Sequence, residues 1–148
     1  MAIPHHFVAL KDLLPGIDLG NAANIAVSNL TLDSRHLKTG DAFIALVGIK
    51  VDGRNFIAKA IESGVAAIFV EADKNWQGID WLGNVPVIAV ENLPEQVSEI
   101  AGRFFADPSK KIPLIGITGT NGKTTCSLLA AQLMAGLQQK SGVVGTIG

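Results

Sequence analysis

The sequence predicts an α/β protein: a mixed or parallel sheet with flanking helices, followed by the first strand, glycine-rich loop, helix and strand of a second domain. Three observations carry that expectation. Apolar runs of strand length occur at residues 42–47, 65–70 and 85–90. They are continuous rather than alternating, as strands buried on both faces are. Between and after them, at 56–61 and 93–105, apolar residues recur at helical spacing. Near the C-terminal end, Gly116-Ile117-Thr118-Gly119-Thr120-Asn121-Gly122-Lys123-Thr124-Thr125 stands between an apolar run and a helix-forming run.

Each element has a local reason. Residues 8–14 place Val8, Leu10, Leu13 and Leu14 on one side of a short helix that Pro15-Gly16 stops. Residues 25–32 are β-branched and apolar and read as a strand ending at Asp33-Ser34-Arg35. Lys38-Thr39-Gly40-Asp41 is a turn before the strand at 42–47, and Gly48 opens a loop through Arg54. Asn55 caps the next helix, whose buried face is Phe56, Ile57, Ala60 and Ile61, and Gly64 ends it. The strand at 65–70 then completes a βαβ unit with an expected right-handed crossover. Residues 71–84 are polar and read as a surface excursion. Its Trp76 and Trp81 have two readings, packing over the sheet edge and stacking on a nucleobase, of which packing is the commoner. Pro86 sits near the start of the strand at 85–90, where a missing N–H is tolerated.

Asn92-Leu93-Pro94-Glu95 is a helix start, with Val97, Ile100, Ala101, Phe104 and Phe105 as the apolar stripe. Asp107-Pro108-Ser109-Lys110-Lys111 reads as a linker and sets the domain boundary; the basic pair is either solvated or touches a phosphate. Beyond it come a strand at 112–115, the glycine-rich loop, a helix to about Leu137 and a strand at 142–147. Leu129, Leu133, Met134 and Leu137 are expected to face a sheet. A strand, helix and strand cannot bury their own apolar faces. The chain therefore reads as a whole N-terminal domain, 1–111, joined to the truncated start of a larger domain, 112–148.

Strand, glycine turn, Lys-Thr and helix is the layout of a phosphate-binding loop, or P-loop. Glycines let backbone N–H groups turn toward an anion, and the helix dipole points its positive end there. Lys123 would reach the β- and γ-phosphates, and the Thr124 hydroxyl would take a place on Mg²⁺. The strict pattern wants glycine where Ile117 stands, and Gly119 supplies the turn instead. The other reading is an ordinary glycine turn between packed elements.

The 148 residues are 48% hydrophobic and 17% charged, which marks a folded globular protein. A formal net charge of −1 gives no global attraction to nucleic acid or to an anionic membrane, so neither is expected as a partner. The single cysteine, Cys126, excludes an internal disulfide and fits a reducing cytoplasm. It reads as a small packed residue rather than a nucleophile, since no base lies near it in sequence. No basic, apolar leader opens the chain, and no apolar run approaches the ~20 residues of a membrane helix. A cytoplasmic protein is expected. His5 and His6 are adjacent near a terminus without a third ligand at metal spacing, and read as solvated.

Three blocks resemble the Mur ligases of peptidoglycan synthesis. The first is Thr31-Leu32-Asp33-Ser34-Arg35, with Gly40-Asp41-Ala42-Phe43-Ile44-Ala45, Gly48 and Asp52-Gly53-Arg54-Asn55-Phe56. The second is Gly102-Arg103-Phe104-Phe105 with Pro108-Ser109. The third is Thr118 to Thr125 with Gly142-Val143-Val144-Gly145-Thr146-Ile147-Gly148. Within the family the blocks are most similar to the ligase that adds the third residue to UDP-N-acetylmuramoyl-L-alanyl-D-glutamate. The threonine before Asn121 and the Gly145-Thr146-x-Gly148 ending separate it from the neighbouring ligase that adds D-Ala-D-Ala to the tripeptide.

The resemblance implies a fold, a mechanism and site residues. The fold is a Mur ligase substrate-binding domain followed by the opening of a P-loop ATPase domain. ATP phosphorylates the D-glutamate γ-carboxylate, and the amine of the incoming residue, meso-diaminopimelate with lysine as the alternative, attacks the acyl phosphate. Residues 1–111 would hold the UDP-sugar, the UDP-MurNAc-dipeptide, through Leu32, Ser34, Ile49, Lys50 and Val51. Histidine is common in the family where Ile49 stands. Residues 112–148 would begin the central ATP-binding domain, with Gly119, Thr120, Asn121, Gly122, Lys123, Thr124 and Thr125 on ATP and Thr124 on Mg²⁺. No catalytic residue is expected within these residues, and the chain alone is expected to be inactive. Asp33 and Arg35 are alternatively a surface ion pair, and Asp52-Gly53 only a turn. The remaining alternative is a non-catalytic nucleotide-binding module.

Overall fold

A computed structural model of the chain describes residues 6–48 and 51–145. It divides into two compact units, Met1–Lys111 and Ile112–Gly148. The first is built on a five-stranded sheet in the order β3 (Asn29–Thr31), β4 (Asp41–Ala45), β5 (Ala67–Glu71), β7 (Val85–Val90) and β6 (Ile79–Leu82). β3, β4, β5 and β7 are parallel, and β6 closes one edge antiparallel to β7. A separate two-stranded pair joins β1 (Val8–Ala9) to β2 (Ala26–Val27).

The continuous apolar runs split by parity, as a strand requires. Ala42, Ile44, Ala67, Phe69, Ile88 and Val90 enter one core together with helix α1 (Leu10–Leu13) and helix α3 (Leu93–Phe104). Phe43, Ala45, Ile68, Val70, Val85 and Val87 enter a second core with helix α2 (Ile57–Glu62). β4 is buried at every position. A sheet covered by helices on both faces explains why its strands show no alternation in sequence.

Several expectations are corrected. The run at 25–32 is two strands, since the chain leaves the β1–β2 pair at Ser28 and enters the main sheet at Asn29. Residues 8–9 are strand, and the helix begins at Leu10. The excursion at 71–84 contains β6, a short edge strand with exposed positions and hence no apolar run. Of the two tryptophans, Trp76 packs partly buried against the second core, while Trp81 is 47% exposed on β6. Asp52 rather than Asn55 caps the turn before α2, its carboxylate accepting the Arg54 N–H at 2.9 Å. Both are good capping residues; the choice falls to the one that also pairs with Arg54. In α3 the stripe is Leu93, Val97, Ile100 and Phe104, whereas Phe105 is 54% exposed. Arg103 ties α3 to α1 by donating to the Leu13 carbonyl at 2.9 Å. His5 lies outside the described residues; His6 meets Phe104 edge to face.

The second unit has one regular element among the described residues, helix α4 (Lys123–Gly136). Neither 112–115 nor 142–145 forms a strand, and residues 146–148 lie outside the described residues. Ile115 and Leu114 have strand composition but no neighbouring strand among the described residues, and a lone strand leaves its backbone groups unpaired. Leu129, Leu133 and Leu137 are 55%, 69% and 65% exposed, so the expected packing on a sheet is not made. Cys126 is likewise exposed rather than packed.

Gly53 is required by close approach. Its N–H donates to the Leu46 carbonyl at 2.7 Å, and an added Cβ would meet that same oxygen at 2.7 Å and the Leu46 nitrogen at 3.0 Å. Backbone cannot rotate aside as a side chain can. Gly53→Ala is expected to destabilise the first unit by about 2 kcal/mol, lowering Tm by about 10 °C. Tryptophan fluorescence reads this unit alone, because Trp76 and Trp81 both lie in it. An unchanged midpoint would show that the loop yields without cost.

Candidate functional site

The four parallel strands end on one edge of the sheet, the edge where open α/β sheets take ligands. Leu32, Asp33 and Ser34 leave β3 there. The register that pairs Thr31 with Phe43 sets them level with residues 44–46. Leu32 is 55% exposed and Ser34 only 8%, so the turn offers an apolar surface and a sheltered hydroxyl. Val47 and Val51, beyond the end of β4, are also exposed apolar side chains. A flat ring and its polar edge suit such a surface. Ile49 and Lys50 lie outside the described residues.

Asp33 does form the surface ion pair with Arg35. Its carboxylate takes Arg35 Nη2 at 2.7 Å and Nε at 2.9 Å, and His36 Nδ1 stands at 3.1 Å. The hydrogen-bonded Arg35 guanidinium, with the Arg35 N–H, holds the Asp33 carboxyl well below the usual carboxylate range. This fixes the turn that presents Ser34.

The loop after β4 has a closed stem. Leu46 accepts from Gly53, Val47 bridges Asp52, and Gly48 donates to the Val51 carbonyl at 3.0 Å. Arg54 lies across its base. Nε and Nη2 bind the Asp52 carboxylate at 2.8–3.1 Å, while Nη1 reaches Asp73 Oδ2 at 2.6 Å. Asp73 Oδ1 accepts the N–H groups of Asn75 and Trp76 at 2.8 and 3.0 Å. Arg54 hydrogen bonds lower the Asp52 pKa; the Asn75 N–H, then those of Trp76 and Arg54, lower that of Asp73. Asp73 also lines a shallow cleft of about 600 Å³ with Glu71, Gln77, Glu91 and Asn92. Glu71 Oε2 in that cleft is buried without a hydrogen-bond partner among the described residues.

In the second unit the glycine-rich loop runs into the N-terminus of α4. Gly122 is the N-cap at φ 75°, a left-handed conformation that costs glycine little, and Gly119 stands at φ 151°. Lys123 Nζ folds over the loop, donating to the Gly119 carbonyl and to that of Thr120 at 3.4 Å. Gly122 offers no side-chain cap, so the first N–H groups of α4 remain for an anion. Gly119, Thr120, Asn121, Gly122, Lys123 and Thr125 are all exposed, and Thr124 is half-buried. These residues fit a nucleotide's phosphates. Among the described residues no group of three or more His, Cys, Asp or Glu could hold a metal ion. Thr124 would offer Mg²⁺ its hydroxyl oxygen.

Residues 26–105 match the family described as "Mur ligase family, catalytic domain". That span exceeds half of the 148 residues. The chain belongs to the Mur ligase family. This Mur ligase chain is 47% identical over 122 residues to the UDP-N-acetylmuramoyl-L-alanyl-D-glutamate–2,6-diaminopimelate ligase of Pseudomonas syringae pv. tomato, covering 82% of the chain and 25% of that protein. A solved structure of a ligase of the same name superposes with a TM-score of 0.74 at 28% identity, over 96% of this chain and 28% of that one. The MurF ligase of Thermotoga maritima, solved in complex with ADP, superposes with a TM-score of 0.52 at 25% identity, over 73% of this chain and 23% of that one. The chain spans about a quarter of the length of the curated relatives it matches. No helix among the described residues of this Mur ligase chain is long and apolar enough to cross a membrane.

Sequence reading gave Arg54 only as part of the block Asp52-Gly53-Arg54-Asn55-Phe56, and singled out neither Asp73 nor Glu71. Asp73 stands in the segment read as an excursion, and its link to Arg54 spans 19 positions. The aspartate two and three residues before the N–H groups it accepts is a local signal for an Asx turn. Nothing local points from it to Arg54.

Proposed function

We propose that this chain is the N-terminal part of an ATP-dependent ligase of peptidoglycan synthesis that adds diaminopimelate to UDP-N-acetylmuramoyl-L-alanyl-D-glutamate. The observation that carries the reading is the 47% identity over 122 residues to a ligase of that name. Leu32, Ser34, Ile49, Lys50 and Val51 take the UDP-sugar, and residues 1–111 are its domain. Residues 112–148 begin the ATP-binding domain. Gly119, Thr120, Asn121, Gly122, Lys123, Thr124 and Thr125 hold the phosphates of ATP, and Thr124 gives an oxygen to Mg²⁺. ATP supplies the phosphoryl group that activates the substrate's carboxylate. The chain's own contribution is positioning and charge neutralisation. The reading carries a cytoplasmic location with it, in keeping with a free cysteine.

The test is phosphate release by the full-length protein given ATP, the UDP-muramoyl-dipeptide and diaminopimelate. Release that depends on all three supports the reading. No release, or release only with the tripeptide substrate and D-Ala-D-Ala, overturns it. Lysine in place of diaminopimelate decides the amino acid.

A further inference from the structure

We infer that Arg54 and Asp73 are a positioning pair for the UDP-sugar edge, locking the stem of the loop after β4 to the turn after β5. The inference rests on the proposed function for its substrate, but its geometry stands alone. Arg54 presents a planar fork. Two of its nitrogens grip Asp52, which is at once the N-cap of the turn Gly53–Phe56 and the bridge partner of Val47. The remaining nitrogen reaches Asp73 at 2.6 Å. Asp73 is anchored in turn by the Asn75 and Trp76 N–H groups, and Trp76 packs against the second core.

The chain of contacts therefore runs from the core, through Trp76 and Asp73, to Arg54, Asp52 and the Val47–Val51 stem. Side-chain exposures of 25–33% across the three charged groups keep the pairing partly shielded from water. A surface ion pair is worth little. This one differs in having a bidentate fork and two anchored carboxylates, so its hydrogen bonds are pre-arranged. What it fixes is position. Val51 sits in the stem, and Gly48 and Gly53 close it through backbone bonds that hold only while the two arms stay in register.

Neither arginine nor aspartate is assigned contact with substrate. Their effect must therefore pass through the loop. Asp73→Asn keeps one oxygen for the Asn75 and Trp76 N–H groups and removes the charge that Arg54 needs. Arg54→Lys keeps charge and removes the fork.

The test combines two measurements. Hydrogen exchange on the chain carrying Asp73→Asn is expected to rise about tenfold at the Gly48 and Gly53 amides. The strand amides of Ile44 and Phe69 should stay unchanged. Steady-state kinetics of the full-length variant are expected to show KM for the UDP-muramoyl-dipeptide raised about tenfold, with kcat and KM for ATP within about twofold. Arg54→Lys should fall between wild type and Arg54→Met in both. Unchanged exchange at Gly48 and Gly53, or a uniform rise at every amide, would overturn the pairing's role. Equal loss in kcat and in every KM would do the same. Should the wild-type protein release no phosphate with that substrate, the proposed function fails, while the exchange result still decides whether the pair holds the stem.

Discussion

Full-length protein carrying Lys123→Met is expected to lose about 10²- to 10³-fold in the rate of ATP-dependent phosphate release. Its KM for the UDP-sugar and its folding midpoint should be unchanged. Lys123 opens α4, at the positive end of the helix dipole, where a cation is unfavourable by a few tenths of a kcal/mol or more. Among the described residues its ammonium donates to the Gly119 and Thr120 carbonyls of its own loop. Methionine has nearly the same helix propensity and similar length, so stability gives no reason for lysine here. Under the proposed function, charge delivered to a phosphate does. Removing one preorganised donor from the site of developing charge costs far more than the helix gains. The measurement is the initial rate at saturating UDP-sugar, with the fluorescence melt as control. A rate equal to wild type would show that the loop is an ordinary glycine turn.

The fold was legible where the forces are local or the burial is complete. β4, β5 and β7 announce themselves as unbroken apolar runs because helices cover both faces of the sheet. β6 does not, since Ile79-Asp80-Trp81-Leu82 lies at an edge and carries one charged and one half-exposed aromatic residue. The break at Ser28 is invisible in sequence for another reason. Val27 and Leu30 are both good strand residues, and only tertiary pairing sends them to different sheets. The run at 112–115 fails in the opposite sense: its composition suits a strand, but a parallel strand exists only beside another. Likewise the glycine turn opening a helix at Lys123 can be read from local sequence, whereas the Arg54–Asp73 contact needs the βαβ unit to be folded before the two residues meet.

Phe69→Ala is expected to destabilise the first unit by about 3–5 kcal/mol. Phe69 is fully buried in β5, the strand flanked on both sides by parallel neighbours, and it enters the core shared with α1 and α3. Its ring cannot be replaced by relaxation of a sheet held by ladders on two sides, so a cavity remains. Against the total of about 5–15 kcal/mol of an ordinary domain, this is a large share. Tm should fall by about 20 °C or the unit should fail to fold. Leu133→Ala removes a residue of comparable apolarity and is expected to cost within about 0.5 kcal/mol, because Leu133 is 69% exposed on α4. The two variants separate burial from hydrophobicity. Urea titration followed by tryptophan fluorescence should shift for Phe69→Ala, and the same titration followed by helical circular dichroism, to which α4 contributes the longest described helix, should not shift for Leu133→Ala. A loss under about 1 kcal/mol at Phe69 would mean that the sheet's centre is not where its stability resides.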